Sequence, residues 1–179
     1  MKQIIITFSG KAQHGKDSSA QILKQILQDE YGKRILTINY ADYLKYLAAQ
    51  YLNWNGEKDE RGRTLLQWLG TEKVRTRFPD LWVDTVINIA QIFEGEYDCI
   101  LIGDCRFPNE ITRWVDEGYT VIPIHVERLE FDNGLTDAQK NHHSETALDD
   151  YPFRVKLKAY TLHDLEREIR LKCKGLIAP

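Results

Sequence analysis

The stretch that most constrains the fold is an apolar, β-branched run followed at once by a glycine-bracketed loop and a helix-forming segment. Residues 4–8 form the run, and the loop has the spacing Gly10-x-x-x-x-Gly15-Lys16. A strand, a loop of this spacing and a helix in direct succession are typical of a phosphate-binding P-loop. An ordinary glycine-containing turn between a strand and a helix is the weaker alternative.

The residue types in this loop have a chemical reason. Two glycines let the backbone turn tightly and approach phosphate oxygens, and N–H groups at a helix start favour an anion. Lys16 adds a positive charge for the β- and γ-phosphates. Asp17 stands where a Ser or Thr magnesium ligand is expected and could hold Mg²⁺ through water, while the Ser18 hydroxyl would face the phosphates. The predicted ATP-binding residues are therefore Gly10, Lys11, His14, Gly15, Lys16, Asp17 and Ser18.

Composition indicates an ordinary globular chain. A length of 179 residues suits a single domain over 1–179, and a net charge of −3 predicts no binding to nucleic acid or to an anionic membrane. No apolar stretch approaches the roughly 20 residues that span a bilayer. The N-terminus lacks the pattern of a signal peptide. The 3 cysteines have neither CxxC nor metal-site spacing, which predicts reduced thiols in a cytoplasmic protein.

Strand and helix patterns alternate along the chain, which predicts an α/β protein with a central parallel sheet of about five strands flanked by helices. Combined with the glycine-bracketed loop, this is the P-loop NTPase fold. The predicted strands are 3–8, 35–39, 98–103, 120–126 and, more weakly, 154–159. The predicted helices are 15–31, 41–52, 62–77, 80–93, 109–117 and 161–173, with Gly32 closing the first and Thr161 with Asp164 opening the last.

One polar segment, about 129–150, follows a strand and carries almost no core-forming residues. In a P-loop kinase such a segment would be a lid that closes over the phosphates. The alternative, equally compatible with the sequence, is a surface loop with one short helix capped by Ser144.

A second chemical site follows the strand at 98–103. Asp104 would lie at the carboxyl end of a strand beside the P-loop strand, where an acid can bind magnesium through water. Arg106 would emerge at the same edge, where open α/β sheets bind ligands, and a guanidinium grips phosphate with two parallel hydrogen bonds. Alternatively, Asp104 caps a helix or turn before Pro108, and Arg106 forms a surface ion pair.

A third, more diffuse set of candidates surrounds the acceptor side. Arg75 and Arg77 cannot share one helical face, so we expect Arg75 to reach a ligand and Arg77 to be solvated. The other candidates are Asp42 and Lys45 after the second strand, and Trp68 and Trp82, which could be core residues or stacking platforms. Asp42 could equally cap the helix that starts beside it.

Together these pieces resemble the deoxynucleoside monophosphate kinase family found mainly in bacteriophages. The matching motifs appear in the family's order from residue 8 to about 148: GK-x-x-x-GKDS, YADYLK, LLQWLGTEKVR with PDLWVD, IGDCRFPNE and HHSETAL. The P-loop alone is shared by many families, whereas the combination with RFPNE and HHSE is far more specific. A His143 stands where the family commonly has a small residue or proline before SE.

The resemblance implies transfer of the γ-phosphoryl group of ATP to a deoxynucleoside monophosphate, with Mg²⁺, commonly by a homodimer. It implies that Lys16 serves ATP, that Asp104 with Asp17 lies near the metal, and that Arg75 and Arg106 hold the acceptor phosphate. Substrate-binding residues would also include Asp42, Lys45 and Trp82. The implied lid residues are Arg128, Lys140, His143, Ser144 and Glu145, and a phage protein would act in the host cytoplasm.

Two other functions stay open. A kinase acting on a small-molecule hydroxyl would need a carboxylate base, and Asp42 could be that base. A nucleotide-binding regulatory module without turnover would explain the unusual Asp17.

Overall fold

Five parallel strands form the centre of the protein, as the sequence predicts. They are β1 (Ile4–Ser9), β2 (Ile35–Thr37), β3 (Cys99–Ile102), β4 (Thr120–Arg128) and β5 (Val155–Ala159), in the order β2-β3-β1-β4-β5. The structure, a computed structural model, describes residues 2–173 and 175–176. Within that part of the chain, no helix is long and apolar enough to cross a bilayer.

The residues of β1 are packed on both faces of the sheet. Ile6 packs against α1 (Lys16–Tyr31) and α8 (Leu162–Cys173), whereas Ile5 packs on the other face. That other face is covered by α4 (Leu81–Ile92) and α5 (Asn109–Asp116). A strand buried on both sides is largely apolar, and the isoleucine run 4–6 followed by Phe8 provides this in β1.

The predicted helix boundaries of α1 and α8 are confirmed by their end contacts. Gly32 has a φ of 59° and donates its N–H to the Gln28 carbonyl, which closes α1. At the start of α8, the Thr161 hydroxyl accepts the Asp164 N–H at 3.1 Å and donates to the Asp164 carboxylate at 2.8 Å. Helix α2 (Ala41–Tyr51) also lies within the predicted range.

The single helix predicted over 62–77 is wrong in type. The chain forms α3 (Glu60–Gln67) and then continues as a π-helix over Trp68–Arg75. The reason is tertiary: the Gly70 carbonyl accepts the Trp82 indole N–H at 3.0 Å, and a Cβ on Gly70 would lie 3.0 Å from the Leu44 side chain. Apolar periodicity does not reveal such contacts. π-helical turns are rare and occur mostly at functional sites.

The segment 129–150 holds two short helices, α6 (Asp137–Lys140) and α7 (His143–Thr146), rather than one helix capped by Ser144. Their caps are Thr136 and His142, and Ser144 lies inside α7. Leu135 and Leu148 are buried, so the segment packs onto the body of the protein rather than extending into solvent.

Candidate active site

A cleft of about 440 Å³ lies beyond the carboxyl ends of β1 and β3. Residues from the P-loop, the start of α2, the π-helix, the turn after β3 and the start of α7 line it. The cleft brings together these predicted site residues: Lys16, Asp17, Lys45, Arg75, Trp82, Asp104, Arg106, Ser144 and Glu145. A separate groove of about 330 Å³ between α1 and α8 is lined mainly by aliphatic side chains and carries none of them.

The P-loop backbone has the conformation that its glycines permit. Gly10 has a φ of 140°, and a Cβ there would lie 2.2 Å from the Val126 carbonyl oxygen, so only glycine fits. Gly15 has a φ of 97° at the start of α1. Among the described residues, the N–H groups of Lys16, Asp17 and Ser18 have no acceptor. The loop and the helix start thus form a cradle of backbone donors for an anion.

Lys16 lies over this loop. Its Nζ donates to the Gly10 carbonyl at 2.7 Å and to the Lys11 carbonyl at 2.8 Å, and the residue is 8% exposed. Burial, followed by the positive charge of Arg106, lowers the pKa of Lys16 to about 7. The negative charge of a bound polyanion would oppose both effects, so the ammonium form is favoured once a phosphate is present.

The other P-loop residues divide between the cleft and the segment above it. Asp17 is exposed and lines the cleft, whereas Ser18 is not part of its lining. The Lys11 ammonium donates to the Glu145 carbonyl at 2.6 Å and pairs with Asp149. His14 accepts the Arg128 N–H at 3.2 Å, and burial, then Lys16, lowers its pKa. Lys11 and His14 therefore hold the P-loop to neighbouring segments.

Asp104 caps α2, although the sequence analysis considered a cap only next to Pro108. Its two carboxylate oxygens accept the N–H groups of Tyr40 and Ala41, both at 2.9 Å. Burial raises the pKa of Asp104, and these two hydrogen bonds lower it. Each oxygen keeps a lone pair toward the cleft, so Asp104 can still accept a water from a metal's hydration shell.

The described residues contain no group of three or more His, Cys, Asp or Glu able to hold a metal. Asp17 and Asp104 both line the cleft, and Mg²⁺ in phosphoryl-transfer sites is held by one or two carboxylates together with phosphates and water. This donor set fits a magnesium ion carried on a nucleotide and does not fit a closed, all-protein cage.

Arg106 contacts the segment 129–150 through Ser144 and Glu145. Its guanidinium pairs with the Glu145 carboxylate and donates to the Ser144 carbonyl at 3.1 Å. Glu145 also accepts the Ala12 N–H at 3.0 Å, so its carboxylate lies between the P-loop and Arg106. The Arg106 side chain remains 30% exposed toward the cleft.

Arg75 lines the cleft from the end of the π-helix, while Arg77 is exposed. The Arg75 guanidinium pairs with the buried Glu110 carboxylate and lies 3.9 Å from the centroid of the Phe107 ring. Arg75 is therefore largely occupied by contacts within the protein, with 12% of its side chain exposed.

Several predicted residues are not brought into the cleft. The Asp42 carboxylate is 53% exposed, accepts the Asn39 N–H at 3.0 Å and pairs with Lys45 at 3.4 Å. Asp42 thus has the helix-capping role that the sequence left open. Lys140 pairs with Asp132 on the surface, and Arg128 stacks on Phe131 at 3.9 Å. His143 packs edge-on against Phe107.

The two tryptophans differ. Trp82 is 2% exposed, and Trp68 is 40% exposed. Trp82 is a core residue, one of the two alternatives that the sequence left open, and it also lines the cleft.

Sequence reasoning missed Glu110 as a site residue and also missed the cleft residues Lys58 and Gln67. Glu110 lies within the quoted motif, yet a charged residue in the first turn of a helix is ordinarily a solvated one. Only the fold shows that it is 2% exposed. No local signal could have found Lys58 or Gln67.

No family model matches the sequence, and no characterised protein does at the sequence level. Solved structures do match over nearly the whole chain. The protein APE1195 is 15% identical with a TM-score of 0.52, covering 99% of this chain and 98% of its own. The Mycobacterium tuberculosis APS kinase CysC in complex with AMPPNP and APS is 11% identical with a TM-score of 0.49, covering 97% and 99%. The likeness to APE1195 concerns the fold alone, which is the predicted five-stranded α/β fold.

Proposed function

We propose that this protein is a nucleotide kinase that transfers the γ-phosphoryl group of ATP to a deoxynucleoside 5′-monophosphate. The supporting observation is one cleft that combines a P-loop with several cationic side chains. Lys16 and the P-loop line it together with Arg106, Arg75 and Lys45. Two phosphate groups brought together need such positive charge. The motif resemblance supplies the substrate class within this proposal.

On the donor side, the β- and γ-phosphates of ATP would lie against the backbone N–H groups at the start of α1, with Lys16 above them. Mg²⁺, when bound, would neutralise charge on the transferring group, with Asp17 and Asp104 holding waters of its shell. Asp104 also fixes the start of α2, so it orients the two halves of the cleft relative to each other.

On the acceptor side, Arg106 is the residue best placed to hold the monophosphate, since its side chain is the more exposed of the two arginines. A phosphomonoester is mostly ionised at neutral pH, with a second pKa of about 6, so it needs no general base. The reaction then depends on positioning and on charge neutralisation. We also propose, from the resemblance, a homodimer acting in the cytoplasm.

A coupled assay of ATP consumption across dGMP, dTMP, dCMP, dAMP and their ribose counterparts tests this function. The expected result is ADP formation that depends on at least one deoxynucleoside monophosphate, with the matching diphosphate as product. If none of these monophosphates supports ATP consumption, the proposal is rejected. Binding of ATP without any turnover would favour a regulatory module.

The hydroxyl-kinase alternative is tested with Asp42→Asn. The exposed, helix-capping position of Asp42 predicts that kcat stays within about threefold of the wild type, since surface changes are small. A catalytic base would instead lose most of its turnover, by roughly 100-fold or more. The matched control is Asp29→Asn, an exposed acid in α1.

A further inference from the structure

The buried carboxylate of Glu110 contacts the acceptor-side machinery through both of its oxygens. Oε2 accepts the backbone N–H of Arg106 at 2.6 Å and that of Phe107 at 3.1 Å. Oε1 pairs with the guanidinium of Arg75. One side chain therefore joins the turn after β3 to the end of the π-helix, two segments more than thirty residues apart.

The contacts around Arg75 make this junction rigid. Its guanidinium lies over the Phe107 ring, and its Nη1 lies 3.3 Å from the Pro79 carbonyl oxygen and 3.4 Å from Asn109 Oδ1. Glu110 thus holds Arg75 from one side and the Arg106 backbone from the other. The direction in which the Arg106 side chain leaves the main chain depends on that backbone.

A buried carboxylate is an expensive way to stabilise a fold. Well-packed apolar residues often stabilise as well as or better than a buried ion pair, because each ion loses its hydration. Burial raises the pKa of Glu110 to about 7 against the opposing effect of Arg75, the direction expected when a carboxylate loses its hydration. Stability alone therefore does not account for a charged group at this position.

We propose that Glu110 is a positioning residue that sets the direction of Arg106, and the place of Arg75, for the phosphate of the acceptor. This inference rests on the proposed function insofar as Arg106 holds the acceptor. It assigns Glu110 no contact with substrate.

The test compares Glu110→Gln with Arg106→Ala and with the double variant. Glutamine keeps the size and one oxygen acceptor but loses the charge that holds Arg75. We expect kcat/KM for the monophosphate to fall roughly 10- to 100-fold through a raised acceptor KM, as misplaced binding groups do. The affinity for ATP without acceptor should change by less than about twofold, since Glu110 has no contact with the P-loop.

The decisive readout is the double variant. If Glu110 acts through Arg106, the loss in the double variant should be smaller than the product of the two single losses, because neighbouring groups that act together are not additive. Multiplied losses, or equal losses toward ATP and acceptor, would overturn the proposal. Glu110→Asp should recover part of the activity, and Glu117→Gln, at the end of the same helix, is the matched control.

A second experiment distinguishes failure of this inference from failure of the proposed function. Calorimetric titration of the wild type, Glu110→Gln and Arg106→Ala with inorganic pyrophosphate needs no turnover. If no monophosphate is phosphorylated but both variants weaken pyrophosphate binding equally, the function fails and the positioning role stands. If monophosphates are phosphorylated and Glu110→Gln behaves as the wild type in both assays, the positioning role fails alone. Melting curves of all variants show that the comparisons are made on folded protein.

Discussion

The proposed donor and acceptor sides of the cleft are built in opposite ways. The donor side comes from one short stretch, residues 10–18, in which the backbone N–H groups of Lys16, Asp17 and Ser18 have no acceptor among the described residues. The acceptor side comes from α2, the π-helix, the turn after β3 and α7, and its arginines already have carboxylate partners. The donor side is local and preorganised, whereas the acceptor side depends on contacts between distant segments.

This difference has a physical consequence. A backbone cradle changes little when one side chain is replaced, because its donors belong to the main chain. A site of paired side chains is sensitive to each partner, since removal of one leaves the other charged and unpaired. Variants on the two sides should therefore differ in whether they affect chemistry, stability or acceptor binding.

The largest effect is expected for Lys16→Ala. It removes the cation whose Nζ contacts the Gly10 and Lys11 carbonyls of the P-loop, so phosphoryl transfer should fall by roughly 100- to 1000-fold. The backbone cradle and the fold should remain, as judged by circular dichroism and thermal melting. The matched control is Lys24→Ala, two turns further along α1. Near-normal turnover of Lys16→Ala would contradict the proposal that the P-loop side of the cleft holds the ATP phosphates.

Next comes Arg75→Ala, which tests whether the acceptor side is a structural network. It leaves the Glu110 carboxylate without its ion-pair partner, and the free energy of unfolding should fall by about 3 kcal/mol in a denaturant titration. The loss should be smaller at pH 6 than at pH 8. Arg75 lowers the pKa of Glu110, so its removal matters only where the carboxyl would otherwise be charged, above about pH 7.

Arg77→Ala is the control for that experiment, because Arg77 is exposed and only two residues away. Its effect should stay within about 0.5 kcal/mol. Equal effects of the two arginine variants would show that the Arg75–Glu110 pair does not stabilise the fold.

Arg106→Ala should show a smaller effect of a different kind. With 30% of its side chain exposed, Arg106 contributes more to ligand binding than to the core. We expect kcat/KM for the monophosphate to fall roughly 30-fold, with ATP affinity unchanged. This ratio corresponds to about 2 kcal/mol of lost transition-state stabilisation. Arg106→Lys should recover only part, because an ammonium lacks the planar fork. Weakened ATP binding with an unaltered acceptor KM would place Arg106 on the donor side.

The smallest expected effect is the uptake of a proton when nucleotide binds. Since the pKa of Lys16 is about 7 in the free protein, its amine is mostly neutral at pH 8 and becomes charged beside a polyphosphate. Nucleotide binding at pH 8 should take up close to one proton and at pH 6 almost none from this group. Calorimetry in two buffers of different ionisation enthalpy measures the uptake, which Lys16→Ala should abolish. An uptake that is unchanged in that variant would assign the proton to another group.

The sequence predicts the donor side and the sheet well because both depend on local pattern. The isoleucine run predicts a strand, the two loop glycines predict a tight turn, and Gly32 predicts a helix end. The structure has the strand β1, positive φ at all three glycines, and Gly32 at the end of α1. The acceptor side is predicted less well. Arg75 lies where the helical spacing placed it, but the π-helix, the cap formed by Asp104 and the exposure of Asp42 all depend on neighbours far away in the chain.

The position of Glu145 affects how any ligand enters this cleft. Its carboxylate already accepts the Ala12 N–H and pairs with Arg106, so an arriving phosphate meets a resident negative charge. Binding is then an exchange of one anion for another, and its net affinity reflects only the difference between the two sets of contacts. Under the proposed function, the same exchange would run backwards after phosphoryl transfer, when the Glu145 carboxylate would compete with the product for Arg106.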